Sequence, residues 1–277
     1  MTVLLSLLAA ASYGLADFVG GVVSKRVSPW SVALSAQIGG SLATFAVALA
    51  VSGEPTSADL WWAVAAGVGN GVGTAFLYRG LSTGRMGVVA PVSGVGAALL
   101  PVLVGVSTGE RPPTLAWVGI AVAFPAIWLV SRSANGSPTP HSTSGLLDGV
   151  LAGLGFGSLF VALAQVGEGA GLIPLALNQA VGAVVIMTIA TALSQPWVPR
   201  DPRAGLGVIS GLLGAAATGL FMVASRGDQL TISAVVVSLY PAFTVILAGL
   251  VLREHVHRTQ ALGLLMCATA VTLVALG

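Results

Sequence analysis

Apolar runs of 18 to 22 residues recur along almost the whole chain, separated by short clusters of charge, proline and glycine. They fall at 3–23, 31–52, 60–80, 86–107, 114–131, 147–167, 172–193, 204–225, 231–252 and 259–276. Each is close to the roughly 20 residues that a helix needs to cross a hydrocarbon core about 30 Å thick. None shows the alternating polarity of a membrane strand, and a helix satisfies its own backbone in lipid. The pattern predicts an all-α integral membrane protein with ten transmembrane helices. The one long polar stretch, RSANGSPTPHSTSG from Arg132 to Gly145, divides the ten runs into five and five. The expected organisation is therefore a first repeat over 1–131, a linker over 132–146 and a second repeat over 147–277.

Composition sharpens this. The 277 residues are 56% hydrophobic and only 7% charged, with a mean hydropathy of +0.97. Soluble domains carry roughly 25% charged residues, so this surface must be solvated by lipid. A net charge of +2 gives no basic patch for nucleic acid. The single cysteine, Cys267, excludes an internal disulfide and a multi-cysteine metal site. No Lys or Arg precedes the first run, and that run exceeds a signal-peptide core of 7–15 residues. It is read as the first transmembrane helix.

The two halves resemble each other at a spacing of about 143 residues. Tyr13-Gly14 matches Phe156-Gly157, and Gln37 with Gly40 recurs as Gln179 with Gly182. LSTG, ending at Gly84, recurs as ASRG, ending at Gly227, and Glu110 recurs as Glu254. Five is odd, so the second half starts on the opposite side of the membrane from the first. That is an inverted repeat, a plan of secondary transporters with a site near the midplane between the halves.

These residues carry a resemblance. YGLADFVGGVVSKR in the first helix, YRGLSTGRMGVVAPV leading into the fourth, and the Gly-Glu-Arg and Arg-Glu ends of helices four and nine are similar to the EamA-type branch of the drug/metabolite transporter superfamily. The resemblance spans essentially the whole chain. It departs at Tyr13-Gly14, where that family often has Trp-Gly. What it implies is ten helices in two five-helix repeats and the movement of small metabolites, often outward. It implies no particular substrate.

Asp17 is the outstanding residue of the first run. Helical spacing places Leu4, Leu8, Leu15, Phe18, Val19 and Val22 on a bulky stripe suited to lipid. Ser6, Ala9, Ala10, Tyr13, Asp17, Gly20, Gly21 and Ser24 fall on a small and polar stripe suited to close helix packing. Asp17 lies roughly 12 Å along the axis from Lys25 at about 1.5 Å per residue, too deep for a short carboxylate to snorkel out. An acid at a helix centre costs about 2.5–3.5 kcal/mol on insertion scales and by default marks a pathway. Two roles fit it: binding a cationic substrate or carrying a proton for exchange. The structural alternative is a hydrogen bond that holds the bundle together.

Gln37, Asn70, Gln165, Asn178 and Gln179 are amides suited either to lining a wet cavity or to bonding helix to helix. Asn70 sits in GVGNGVG, Gly67 to Gly73, whose alternate glycines thin two helix faces; no strand precedes them and no lysine follows, so they are not a phosphate loop. Tyr78 and Arg79 close the third helix. Arg79 either meets an anionic group or snorkels to headgroups. Tyr240 and Pro241 in helix nine, with Pro91 and Pro101 in helix four, mark bends, read as hinges at repeat-related levels or as static kinks. Glu110 and Glu254, beside Arg111 and Arg253, are read as interfacial charges that set turns. His255 and His257 lack a third ligand, so neither a metal site nor a cofactor is expected. Trp30, Trp61, Trp62, Trp117, Trp128 and Trp197 lie towards segment ends, as interfacial anchors do.

Odd-numbered connections hold nine of the Lys and Arg residues and even-numbered ones hold Arg111 and Arg226 alone. This bias favours odd loops in the cytoplasm and both termini outside, whereas the family resemblance implies termini inside. The expected activity is secondary transport by alternating access, with small molecules, membrane lipids and, for coupling, protons as partners, in a cell membrane. Amino acids, organic cations and small neutral metabolites fit the polar residues equally well. A serine nucleophile at Ser158 lacks a GxSxG frame, and the histidines, including His141, fall in loops, so no enzyme is expected.

Overall fold

The computed structural model describes residues 1–82, 86–131, 142–226, 229–251 and 258–276, and none of these is in a strand. They form eleven helices: α1 (Thr2–Ser24), α2 (Pro29–Ala48), α3 (Ser57–Ser82), α4 (Met86–Ser107), α5 (Thr114–Ser131), α6 (Ser142–Leu163), α7 (Ile173–Ala192), α8 (Gly207–Ala224), α9 (Leu230–Val237), α10 (Tyr240–Val251) and α11 (Arg258–Leu276). Among the described residues, six stretches are long and apolar enough to cross a membrane: α1, α2, α3, α7, α8 with the short turn before it, and α9 continued by α10. Four shorter apolar helices accompany them, at 92–107, 114–129, 147–163 and 261–273.

Local chemistry sets the helix starts. Pro29 opens α2 at a position where its missing N–H is no loss. Before α3, the Thr56 hydroxyl accepts from Asp59 N (3.2 Å) while an Asp59 carboxylate oxygen accepts from Thr56 N (2.8 Å), a reciprocal capping box. Glu110 starts α9 from outside: its two carboxylate oxygens accept from Leu230 N and Thr231 N, both at 2.9 Å. This gives the expected structural role of Glu110 a specific form. Glu254, His255, His257, Arg253, His141 and the glycines Gly84 and Gly227 lie outside the described residues.

One expected helix is corrected. The ninth apolar run is two helices, interrupted at Ser238 and Leu239, because Pro241 has no N–H to continue the α ladder and the chain tightens to Ala242 N→Leu239 O at 2.9 Å. By contrast α4 continues unbroken through Pro91 and Pro101; of the side chain of Pro91 nothing is described. α6 begins at Ser142, with its polar first turn ahead of the apolar run.

The two-repeat arrangement is visible in the helix register. α2, α4 and α5 begin at 29, 86 and 114, and α7, α9 and α11 begin at 173, 230 and 258, in each case 144 residues later. At that spacing Pro241 falls on Ala97, and Pro91 and Pro101 fall on Val235 and Val245. The prolines are therefore not at repeat-related levels, and the interruption belongs to the second half alone.

Packing is mostly between halves. α1 packs on α8 and α10, α2 on α7 and α8, α3 on α6 and α7, α4 on α6 and α9, and α5 on α11. Exchanging the halves maps this set onto itself: α1–α8 becomes α6–α3, and α2–α8 becomes α7–α3. The glycines of GVGNGVG let α3 approach two helices closely. Gly67 and Gly71 face α7, and Gly69 and Gly73 face α6; a Cβ at Gly71 would stand 2.7 Å from Gly182 O.

Polar ties between the halves stand at both ends of the bundle. On the side of the even connections, Asp59 accepts from Gly167 N at 2.7 Å, Glu54 N donates to Gly169 O at 2.9 Å, and Glu110 holds α9. On the other side Arg79 pairs with Asp148, and the Ser28 hydroxyl donates to Pro196 O.

Candidate functional site

α1, α2, α3, α7 and α8, with Phe156 of α6, surround a central cavity lined by Tyr13, Asp17, Gln37, Asn70, Thr74, Tyr78, Gln179, Ser210 and Thr218 among others. It has about 50 Å³ of room for the centres of water molecules, enough for a few at roughly 10–15 Å³ each. A smaller extension is lined by Tyr13, Asp17, Phe156, Phe160 and Tyr240. Asp17 lines both.

The inner stripe of α1 brings Asp17 there. Ser6, Ala9, Ala10, Gly20, Gly21 and Ser24 are buried as the helical spacing requires, while Leu4 and Leu8 are 58% and 48% exposed. Gly14 joins the buried set: a Cβ there would stand 2.8 Å from Tyr240 O, so α1 and α10 meet almost backbone to backbone. Asp17 makes no hydrogen bond or ion pair with any described residue. Its charge lies within electrostatic reach of Tyr13, Tyr78 and Tyr240.

Two of those tyrosines are held by a hydroxyl partner. Tyr13 Oη lies 2.7 Å from Thr218 Oγ1, and Tyr240 Oη lies 3.1 Å from Ser93 Oγ. Tyr78 lies beside Ser210, whose Oγ donates to Ala16 O at 2.9 Å, and the Tyr78 ring lies against Gly20. Ser93, Ser210 and Thr218 escaped the sequence reading because mid-helix hydroxyls commonly turn back on their own helix. Thr218 does both, donating to Gly214 O at 2.7 Å.

The amides form the opposite wall. Gln37 Nε2 donates to Asn70 Oδ1 (3.0 Å) and Thr74 Oγ1 (3.2 Å), and Asn70 Nδ2 donates to Asn178 Oδ1 (3.1 Å). This ties α2, α3 and α7 together. Gln179 is 3% exposed and lines the cavity, yet its Nε2 has no partner among the described residues.

Two expected site residues stand elsewhere. Gln165 is exposed in the turn after α6, because α6 ends at Leu163 and leaves that amide to solvent. Arg79 is not in the cavity lining. Its Nε donates to Asp148 Oδ1 at 2.9 Å, its guanidinium also lies over the Phe76 ring, and Asp148 is 2% exposed. Asp148 was not anticipated; the partners are 69 residues apart in sequence.

With Arg79 engaged, the cavity lining contains no cationic side chain among the described residues. Its one formal charge is Asp17, and an uncompensated carboxylate can take up a proton or a cation. Among the described residues no cluster of His, Cys, Asp and Glu could hold a metal ion. Ser158 donates to Leu154 O in its own helix at 2.8 Å.

No curated protein is matched by this sequence. A solved structure described as "Crystal structure of protein" shares the fold, with a TM-score of 0.71 at 18% identity, over 99% of this chain and 95% of that one. The sequence profile of the EamA-like transporter family matches twice, over residues 1–132 and 143–276. The chain is a multi-pass integral membrane protein and belongs to the EamA-like transporter family.

Proposed function

We propose that this chain is a secondary transporter of small metabolites that crosses the membrane ten times as two inverted five-helix repeats and works by alternating access. The observation that carries the reading is the unpaired Asp17 in a cavity walled by helices of both halves. The reciprocal helix contacts support a pseudo-two-fold relation between the repeats, and sites of such transporters lie at the repeat interface. Ties between the halves at both ends of the bundle are what rocking would break in turn. In this reading the proton and the substrate both use Asp17, the chain exports its substrate across the plasma membrane, and the odd connections with their excess of Lys and Arg face the cytoplasm.

The experiment is pH-gradient-driven flux of a metabolite panel in proteoliposomes containing the purified protein. The wild type is expected to move at least one solute with coupled proton movement, and Asp17→Asn to lose that coupling. Coupled flux unchanged in Asp17→Asn would remove the role assigned to the carboxylate. A panel that never moves would favour a membrane-embedded subunit or receptor without transport.

A further inference from the structure

Two connections that meet across the repeats carry four exposed cationic side chains. The α1–α2 connection (25–28) holds Lys25 and Arg26, and the α7–α8 connection (193–206) holds Arg200 and Arg203. The Ser28 hydroxyl donates to Pro196 O, and the short turn at Pro202–Leu206 packs on both α1 and α2. Among the described residues none of the four cations is in an ion pair. The one acid of the two connections, Asp201, is turned to its own backbone and accepts from Arg203 N at 2.8 Å. Four cations and one acid leave a net +3 along this seam.

The surroundings say what such a charge faces. The seam lies at the ends of α1, α2, α7 and α8, at the depth where a spanning helix leaves the hydrocarbon. Arg200, Asp201, Pro202 and Arg203 line an open groove. Pro196, Pro199 and Pro202 stiffen its backbone by fixing φ, so less ordering entropy opposes a ligand there. Large apolar side chains stand exposed in the same connection and the turn after it, at Leu193, Val198, Leu206 and Ile209. Trp197 is held among them by its Nε1, which donates to Thr191 Oγ1 at 2.9 Å. A small anion from solution would meet the cations and leave the apolar rim unused. A phospholipid matches both, with its phosphate on the guanidinium groups and its acyl chains along the rim. A zwitterionic headgroup brings its own cation to a surface that already has a surplus, so the fit is to an anionic one.

We infer that the seam between the α1–α2 and α7–α8 connections is a docking site for an anionic phospholipid, held by Lys25 and Arg26 of one half together with Arg200 and Arg203 of the other. The bound lipid ties together four helices that also wall the central cavity, and so fastens the halves at the odd end of the bundle. Resting on the transport reading, this favours the state closed on that side. The docking site itself stands without that reading.

The test uses the purified full chain in a neutral detergent, with dioleoyl-phosphatidylglycerol and dioleoyl-phosphatidylcholine as probes and native mass spectrometry to measure bound lipid. Each Lys or Arg near an anionic headgroup is worth roughly fivefold in affinity. Phosphatidylglycerol is therefore expected to bind at least roughly 25-fold more tightly than phosphatidylcholine. The pair Lys25→Gln with Arg26→Gln, and separately the pair Arg200→Gln with Arg203→Gln, should each lose roughly 5–25-fold in phosphatidylglycerol affinity and leave phosphatidylcholine binding unchanged. Arg258→Gln removes an exposed cation at the start of α11, outside the seam, and should change that affinity by less than about twofold. Thermal unfolding of the same samples reads the fastening: phosphatidylglycerol should raise the midpoint of the wild type and of neither pair variant.

Phosphatidylcholine bound as tightly as phosphatidylglycerol by the wild type would overturn the inference. So would soluble glycerol phosphate matching phosphatidylglycerol, which would make the groove a site for free phosphate. An Arg258→Gln loss as large as that of either pair would reduce the effect to general surface charge and equally overturn it. A midpoint raised as much in one pair variant as in the wild type would remove the bridge between halves. The wild-type ranking decides the lipid class even if a variant fails to fold. Flux assays separate the two readings. Lipid preference with no flux of any solute leaves the site and removes transport, whereas flux without lipid preference leaves transport and removes the site.

Discussion

The corner where α1 meets α3 and its repeat counterpart at α6 and α8 occupy equivalent places but are filled in opposite ways. At the spacing of about 143 residues, Asp17 falls on Phe160 and Tyr78 on Phe221. Phe160 and Phe221 pack ring on ring with centroids 4.4 Å apart, 2% and 0% exposed. They sit in one of the main apolar clusters of the described residues. The architecture therefore accepts an apolar pair at this level and does not require an acid. Arg79 and Asp148 give a second contrast, since they fall on Met222 and Leu5. Both acids sit where the other half is apolar, yet Asp148 has its cation and Asp17 has none. A paired charge of this kind can be structural. An unpaired one in a cavity is left to serve a ligand or a proton.

The variant with the largest expected effect on stability is Arg79→Met, which strands a buried carboxylate and should lower the unfolding free energy by about 3–5 kcal/mol. Adding Asp148→Leu, so that both positions carry the residues of the other half, should bring stability back to or above the wild type. Denaturant unfolding in detergent micelles reads both, and a silent Arg79→Met would contradict the burial of the pair. Glu110→Ala removes the carboxylate that caps α9 and should lose about 1 kcal/mol in the same assay. Gln37→Leu, which breaks the amide wall, should lose about 0.6 kcal/mol. Asp17→Asn should come last, close to the wild type, because no donor loses its acceptor. That near-neutral stability, set beside lost proton coupling, is what separates Asp17 from Asp148.

Much of the fold was legible because lipid imposes simple rules. Length and polarity gave the helical segments, and the helical period gave the inner face of α1, including the place of Asp17. Gln37, Asn70, Asn178 and Gln179 are all buried where α2, α3 and α7 meet. Gln165 was misjudged because one amide at the end of an apolar run looks the same whether the helix stops before or after it. The break at Ser238 was legible only as a proline, since the same residue type leaves α4 unbroken. The pairing of Arg79 with Asp148 is a contact between halves that no local pattern encodes. The repeat itself held the signal: both residues align with apolar counterparts, so each lacks a partner in its own half. Ser93, Ser210 and Thr218 stayed hidden because a helical hydroxyl gives no sign of which neighbour it serves.

Alternating access through the cavity between the repeats is most directly tested by side-specific labelling. Ala215 lines that cavity and is 7% exposed, so Ala215→Cys in a Cys267→Ser background places one thiol there. A membrane-impermeant thiol reagent applied to right-side-out and to inside-out vesicles should modify it in both. Modification from one face alone, or from neither, would contradict a cavity that opens to each side in turn.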